Sequence, residues 1–152
     1  IFNDLVGGVE VTVLDDFTGI DDALIKGEVV TLNGEQALTY VRSRYGLDDS
    51  TNVHRMERQQ QYLRALYQKT IHCINEDESF IVKASLKMSD YIITDRSVTQ
   101  LQAQAKKLAE YEFTDILSIQ GESKVGEKFM EFYPNDDSIM EIVIELFYEP
   151  KH

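Results

Sequence analysis

The sequence predicts a layered α/β domain with a central mixed sheet flanked by helices. Short segments of alternating, β-branched residues predict the strands. Apolar residues spaced three or four apart predict helices that follow those strands, an order typical of helices packed on a sheet. Hydrophobic side chains are 43% and charged ones 28% of the 152 residues, which suits a soluble domain with a core. Because no Pro-rich or Gly/Ser-rich linker interrupts residues 1–152, we expect a single domain.

The elements of the first half are predicted from glycines, alternation and caps. A glycine pair is typical of a helix end, and Asn33 has the side chain of an N-cap. We expect the glycine- and aspartate-rich loop to be poorly ordered without ligand. In order, the predicted elements are a helix end in residues 1–8, a strand at Val9–Leu14, a short strand or extended stretch at Val29–Leu32, a helix at Gly34–Val41, the loop Tyr45–Thr51 and a helix from Asn52 to about Ile71.

The second half repeats helices and strands without an internal repeat. Its clearest helix carries apolar residues at helical spacing behind a Thr or Asp cap. The predicted elements are a helical stretch at Ser79–Tyr91, a helix from Thr94 or Asp95 to Glu110, strands at Ile116–Ile119 and Phe129–Tyr133, and a last helix that begins within Pro134–Asp137.

The charge balance excludes several function classes. The chain has 27 Asp plus Glu against 15 Lys plus Arg, a net charge of −12, so we expect no binding to nucleic acid. A single cysteine, Cys73, excludes an internal disulfide and a multi-cysteine zinc site. We give zinc at His54 little weight, since the next histidine, His72, is too far along the chain for ligand spacing. The acidic pairs Asp15-Asp16 and Asp21-Asp22 are interpreted as solvated loops.

Arginine is concentrated in one short part of this acidic chain. Five of its six arginines lie within residues 42–64. At about 100° per residue, Arg55, Arg58, Gln59 and Tyr62 form one polar stripe of the predicted helix, and Arg64 faces away. The preceding helix ends at Arg42 and Arg44, so two pairs of guanidinium groups are expected to converge.

Arginines that converge on one place predict a binding site for a multiply charged anion. The planar guanidinium fork binds phosphate oxygens in pairs and keeps its charge when partly buried, so a diphosphate fits this requirement. The alternative is that these arginines only pair with surface carboxylates, an arrangement worth about 0–1 kcal/mol per pair. The apolar residues of the same helix are predicted to pack on the sheet; they are Met56, Leu63, Leu66 and Tyr67.

Three ordered segments resemble the motifs of the LytR–CpsA–Psr family of bacterial cell-envelope phosphotransferases. They are Gly7–Val11 (GGVEV), Leu32–Arg44 (LNGEQALTYVRSR) and Asn52–Gln61 (NVHRMERQQQ). Residues 72–152 resemble the C-terminal portion of that family more loosely. The resemblance therefore implies an LCP-type domain whose N-terminal portion lies upstream of Ile1, consistent with a chain that begins without Met.

The resemblance implies a concrete reaction. Family members transfer a glycopolymer from an undecaprenyl diphosphate carrier to peptidoglycan, forming a phosphodiester bond. They act at the extracellular face of the bacterial cell membrane, and the anchoring segment is not in this chain. Magnesium bridges the diphosphate, with ligands expected upstream of residue 1. By motif match, the catalytic and substrate-binding residues are Arg42, Arg44, Arg55 and Arg58, together with Gln59 as a further contact.

One departure from the family pattern leaves a second function open. The family usually has Asp where this chain has Asn52, and an amide cannot accept a proton from an acceptor hydroxyl. Asp48 or Asp49 can substitute for it; otherwise the chain is a non-catalytic module of the cell envelope that binds polyprenyl phosphate or diphosphate. A DNA-binding regulator is excluded by the charge and by the lack of a helix-turn-helix signature.

Overall fold

The computed structural model describes residues 1–44, 46–47 and 52–148, in two compact units that we describe separately. The first unit is Ile1–Phe113 and the second is Thr114–His152. That the whole chain is one domain stays a prediction. The first unit contains helices α1 (Phe2–Leu5), α2 (Gly34–Arg42), α3 (Asn52–Glu76), α4 (Phe80–Met88) and α5 (Val98–Leu108), strands β1 (Val9–Thr12) and β2 (Val29–Leu32), and a 3₁₀ turn, Ser89–Tyr91.

The predicted α/β class is confirmed, while the strands differ from the predicted central mixed sheet. The described strands pair as two separate two-stranded antiparallel sheets. In the first sheet β1 and β2 run antiparallel, with Val9 opposite Leu32 and Thr12 opposite Val29. Without a parallel crossover among the described strands, there is no mixed sheet in this part of the chain.

Two predictions are confirmed: the first helix ends at the glycine pair, and Asn33 caps α2. Gly7 and Gly8 have φ of 84° and 85°, and the Gly8 amide donates to the Asn3 carbonyl at 2.9 Å behind α1. The Asn33 side chain accepts from the amides of Glu35 at 3.0 Å and Gln36 at 2.9 Å. The Gln36 side chain accepts from the Asn33 amide at 3.2 Å in return. This capping box places α2 directly after β2.

The core of the first unit lies between the β1–β2 sheet and the helices α2 and α3. Odd-numbered residues from Val9 onward point into it, with Val11 and Val13 buried beside the sheet partner Leu32. Its buried apolar members are Val6, Val9, Val11, Val13, Phe17, Leu24, Leu32, Ala37, Tyr40, Leu47 and Phe80. Leu47 and Gly46 are the described residues of the loop predicted to be poorly ordered; the rest of that prediction lies outside the described residues.

The predicted packing face of α3 is wrong for two of its four residues. Met56 and Leu63 are exposed, whereas Leu66 packs against the core. The face turned inward also carries Arg58 and Tyr62, which were predicted to lie on a polar stripe. The reason is that the Arg58 charge is paired inside the protein, so the polar stripe is the buried one.

We therefore expect Leu63→Ala to be nearly neutral. The Leu63 side chain is 53% exposed, and surface substitutions change the free energy of unfolding by about 0.5 kcal/mol or less. This replaces the loss of about 2–5 kcal/mol expected of a buried leucine. Urea denaturation of Leu63→Ala and Leu66→Ala, side by side, measures the difference. A loss of 2 kcal/mol at Leu63 alone would contradict this face assignment.

Two helix boundaries of the first unit differ from prediction because of local hydrogen bonds. Helix α5 is capped by Ser97, not by Thr94 or Asp95. The Ser97 Oγ accepts from the Gln100 amide at 3.3 Å, and Gln100 Oε1 accepts from the Ser97 amide at 2.8 Å. The α3 helix continues to Glu76, beyond the predicted end near Ile71.

The second unit is a hairpin followed by a helix. Strands β3 (Gly121–Val125) and β4 (Met130–Pro134) pair antiparallel and precede α6 (Asp136–Phe147). The strand predicted at Phe129–Tyr133 is confirmed with a shift of one residue. The strand predicted at Ile116–Ile119 is wrong: these residues form no strand, and β4 pairs with Gly121–Val125 instead. The Gly126 amide donates to the Phe129 carbonyl at 2.8 Å in the turn between the two strands.

Candidate functional site

A buried carboxylate lies at the base of the arginine-rich region. Asp15 follows β1 and is 0% exposed, with one oxygen bound to Arg58 Nη1 and the other 3.0 Å from His54 Nδ1. The interpretation of Asp15-Asp16 as a solvated pair is therefore wrong for Asp15 and holds only for the exposed Asp16. Asp15 continues the inward alternation of β1, which places its charge in the core.

Arg58 is a structural residue in this arrangement. Its side chain is 1% exposed, and besides Asp15 it donates from Nε to the Tyr40 carbonyl at 2.9 Å and from Nη2 to the Ser43 carbonyl. The guanidinium carbon lies 5.6 Å from the centroid of the Phe17 ring. A side chain enclosed in this way has no surface to offer a ligand from solvent, so the expectation that Arg58 contacts the diphosphate does not fit the structure.

Arg58 and Gln59 link the first turns of α3 to the C-terminal end of α2 by hydrogen bonds. Gln59 Nε2 donates to the Val41 carbonyl at 3.0 Å, while Arg58 holds the carbonyls on either side of it. The carbonyls of Tyr40 and Val41 belong to the last turn of α2, and that of Ser43 follows it. Carbonyls at the C-terminal end of a helix carry negative partial charge. The structure thus joins the two arginine-bearing motifs of the sequence. A contact from Gln59 to a diphosphate stays a prediction.

Three of the predicted arginines remain as candidates for an anion. Arg42 is exposed at the last residue of α2, and Arg44 is two residues further on, so both flank the Ser43 carbonyl that Arg58 holds. Arg55 lies one turn before Arg58 on α3, and its Nη2 donates to Asn52 Oδ1 at 2.5 Å. Its Nε is buried with no hydrogen-bond partner among the described residues. Buried guanidinium N–H groups rarely lack a hydrogen-bond acceptor. This indicates that Arg55 Nε binds an acceptor that is not among the described residues.

Tyr40 completes the buried polar network. Burial raises the pKa of Tyr40 to about 12, so its hydroxyl stays protonated and donates to Gln61 Oε1 at 2.6 Å. The same oxygen accepts from the Leu14 amide at 3.3 Å. The Tyr40 ring stacks on Phe17 at 5.5 Å between centroids. Sequence reasoning missed Asp15, Tyr40 and His54 as members of this site.

The described residues do not provide a magnesium site. Nowhere in residues 1–44, 46–47 and 52–148 do three or more His, Cys, Asp or Glu side chains come together as metal ligands. The carboxylate beneath the arginines, Asp15, has both oxygens occupied by Arg58 and His54. The side chains present here therefore do not fit the ion. In the described part of the chain, no helix combines the length and apolar character needed to cross a bilayer.

The fold and the joined arginine motifs fit a known protein family. The model of the LytR_cpsA_psr family matches residues 2–146, and the chain belongs to this family. Comparison with curated proteins gave no significant match.

Solved structures share the fold. TagV of B. subtilis is 28% identical, with a TM-score of 0.65 over 98% of this chain and 60% of its own. The Lin1025 protein of Listeria innocua is 26% identical, with a TM-score of 0.63 over 96% of this chain and 62% of its own. A protein of Enterococcus faecalis described as a transcriptional regulator (EF0465) is 23% identical, with a TM-score of 0.69 over 92% of this chain and 51% of its own. The chain thus spans less than two thirds of each.

Proposed function

We propose that this chain belongs to a phosphotransferase that moves a glycopolymer from an undecaprenyl diphosphate carrier to peptidoglycan at the extracellular face of the bacterial membrane. The observation that carries the proposal is the buried Nε of Arg55, which has no hydrogen-bond partner among the residues that the structure describes. Arg55 precedes Arg58 by one turn of α3, and Arg58 and Gln59 bind the exit of α2, the segment that carries Arg42 and Arg44. Membership of the LytR_cpsA_psr family supports the same reading.

The three arginines suit a diphosphate better than a single carboxylate. Two linked phosphates carry several negative charges and many acceptor oxygens, so they can satisfy more than one guanidinium fork at once. In phosphoryl transfer, positioning and neutralisation of charge supply most of the catalysis. In this proposal, Arg42, Arg44 and Arg55 bind the diphosphate, and Arg58 acts on it only by holding α2 against α3.

Magnesium belongs to the proposal on the strength of the family resemblance alone. When bound, it would neutralise phosphate oxygens beside the arginines.

Diphosphate binding should depend on the planar guanidinium fork of Arg55 and not only on its positive charge. We expect Arg55→Ala to weaken binding of geranyl diphosphate to the full-length protein about 10- to 100-fold, the equivalent of about 1.5–3 kcal/mol for a charge-assisted hydrogen bond. Arg55→Lys keeps the charge but loses the fork, so it should fall between Arg55→Ala and the wild type. Isothermal titration calorimetry at fixed ionic strength measures all three.

Arg64→Ala is the matched control for that measurement. Arg64 lies nine residues after Arg55 on the same helix, which at about 100° per residue is the opposite face, and it is exposed. We expect its removal to leave geranyl diphosphate binding within about twofold, because it removes one positive charge without removing a site contact. An equal loss of affinity in Arg55→Ala and Arg64→Ala would mean that a diffuse positive field attracts the diphosphate and that there is no specific site.

A non-catalytic binding module is the second candidate, and the side chain of Asn52 favours it. Asn52 Oδ1 accepts a hydrogen bond from Arg55, and its amide cannot take a proton from an acceptor hydroxyl. A module of this kind would bind geranyl diphosphate as the enzyme does, without transferring a glycopolymer. If the wild-type protein shows no transfer and Asn52→Asp gains it, the binding module is the correct assignment.

A further inference from the structure

The segment that joins α4 to α5 exposes consecutive apolar side chains. Tyr91, Ile92 and Ile93 are all exposed, and Ile93 is fully so. We call Tyr91–Ile93 the apolar tip. Leu86 on α4 and Val98 on α5 are exposed on either side of it and extend the same surface. A contiguous apolar surface, unlike scattered apolar residues, is typical of a site that contacts a partner.

Two helices hold the apolar tip, and each is attached to the first unit at its other end. Helix α4 packs on the core through Phe80 and Ala84, which lie in its first turns. Just beyond the end of α5, the Tyr111 carbonyl accepts a hydrogen bond from the Tyr67 hydroxyl of α3 at 2.9 Å. The apolar tip therefore lies between the two helix ends that these contacts leave free.

The same two helices carry positive charge in an acidic chain. Residues 80–108 contain five Lys and Arg side chains against two Asp, whereas the whole chain has a net charge of −12. Lys83 Nζ lies 2.8 Å from an oxygen of Asp77, and Arg96 Nε lies 3.6 Å from an oxygen of Asp95. The three other lysines are exposed and have no salt bridge to a described residue; they are Lys87, Lys106 and Lys107.

Exposed apolar side chains beside available lysines fit the surface of an anionic bilayer. Its headgroups attract Lys side chains, and the boundary between headgroups and acyl chains accepts apolar ones. Tyrosine is enriched at that boundary because its ring is apolar and its hydroxyl is polar. A nucleic acid would also attract the lysines, but it would offer no apolar environment to Ile92 and Ile93. The combination of charge and apolar character therefore favours a lipid surface.

We propose that α4, α5 and the apolar tip dock on the surface of an anionic phospholipid bilayer. Tyr91–Ile93 lie at the boundary of the acyl chains, and the three lysines contact the headgroups. Docking keeps the first unit at the bilayer that holds a lipid-linked substrate. It depends on the exposure and charge of residues 80–108 and does not require the transfer reaction itself.

Tryptophan fluorescence tests the docking, because residues 1–152 contain no tryptophan. Ile93→Trp places a fluorophore at the apolar tip of the full-length protein, and the emission of the wild-type protein is subtracted. In vesicles of phosphatidylglycerol, we expect its emission to shift to shorter wavelength and to be quenched by brominated acyl chains. In vesicles of phosphatidylcholine alone, we expect neither change.

Ile25→Trp is the matched control for that measurement. Ile25 is also an isoleucine that is exposed in the first unit, but it lies between β1 and β2, outside the proposed docking surface. We expect the emission of Ile25→Trp to be the same with and without phosphatidylglycerol vesicles. Equal quenching of Ile25→Trp and Ile93→Trp would mean that the protein adsorbs without a specific docking surface, which overturns the proposal.

The three lysines are tested in the Ile93→Trp protein. Replacing all three by glutamine should lower the ratio of docked to undocked protein about 100-fold, since each cation near an anionic surface contributes about 1 kcal/mol. A rise in salt from about 0.1 M to about 1 M should also weaken docking, because the screening length falls from about 10 Å to about 3 Å. A ratio that is unchanged by loss of the three charges would overturn the assignment of an anionic bilayer.

Two further outcomes would also overturn the proposal. Emission of Ile93→Trp at short wavelength without vesicles, unaffected by brominated lipid, would mean that protein covers the apolar tip. If that emission depended on protein concentration, the cover would be a second copy. Emission typical of an exposed tryptophan under every condition would mean that the tip contacts no bilayer. Since none of these measurements uses geranyl diphosphate or transfer, failure of the docking proposal is distinguishable from failure of the proposed function.

Discussion

Replacing Arg58 by alanine should lower the free energy of unfolding by about 3–5 kcal/mol, the cost of leaving a buried charge without its partner. Arg58 is the cation that faces Asp15 in the core, and its removal also frees the carbonyls of Tyr40 and Ser43. Equilibrium urea unfolding followed by far-UV circular dichroism measures the loss. The affinity for geranyl diphosphate should fall with it only to the extent that the protein unfolds.

Two comparisons separate the buried pair from a general effect of lost charge. Arg64→Ala removes an exposed arginine from the same helix and should cost about 0.5 kcal/mol or less. The double variant Asp15→Leu with Arg58→Met replaces both charges by apolar groups, and we expect it to regain much of the loss. A cost below about 1 kcal/mol for Arg58→Ala, outside the range for a broken buried pair, would contradict the buried placement.

Replacing Phe17 by alanine should lower the free energy of unfolding by about 3–5 kcal/mol, the usual cost of deleting a buried aromatic ring. Phe17 is fully buried, stacks on Tyr40 and lies beneath the Arg58 guanidinium. Its ring is therefore shared by the apolar core and the polar network. The same urea unfolding experiment measures the effect.

The control for Phe17 lies in the same segment between the two strands. Ile25 is 60% exposed, so Ile25→Ala should change the free energy of unfolding by about 0.5 kcal/mol or less. If Phe17→Ala and Ile25→Ala cost the same, Phe17 is not part of the core. A fall in stability of Phe17→Ala together with normal geranyl diphosphate binding by the folded protein would fit a purely structural role.

Local signals predicted much of the first unit. The glycine pair behind α1 and the Asn33 cap of α2 act over a few residues, so their outcome did not depend on the rest of the fold. The hairpin register of β3 and β4 was harder, because it is set by the turn at Gly126 and not by the β-branched residues before it. The strand predicted at Ile116–Ile119 failed because β-branched and apolar residue types alone do not say which segment pairs with β4; the partner is the polar segment Gly121–Val125.

The face of α3 was mispredicted because burial was inferred from residue type. Leucine and methionine are buried more often than arginine, yet here Arg58 is inside and Leu63 outside. A signal for this was present in the sequence: Asp15 falls in phase with the alternating Val11, Val13 and Phe17, which are all buried. An acid at an inward position requires a cationic partner, but periodicity does not say which distant residue supplies it.

The link between Asp15 and Arg58 joins positions that are 43 residues apart in the chain. Neither charge can change alone without leaving the other unpaired in the core, so we expect substitutions at the two positions to be tolerated only together. This constraint arises from folding and not from ligand binding.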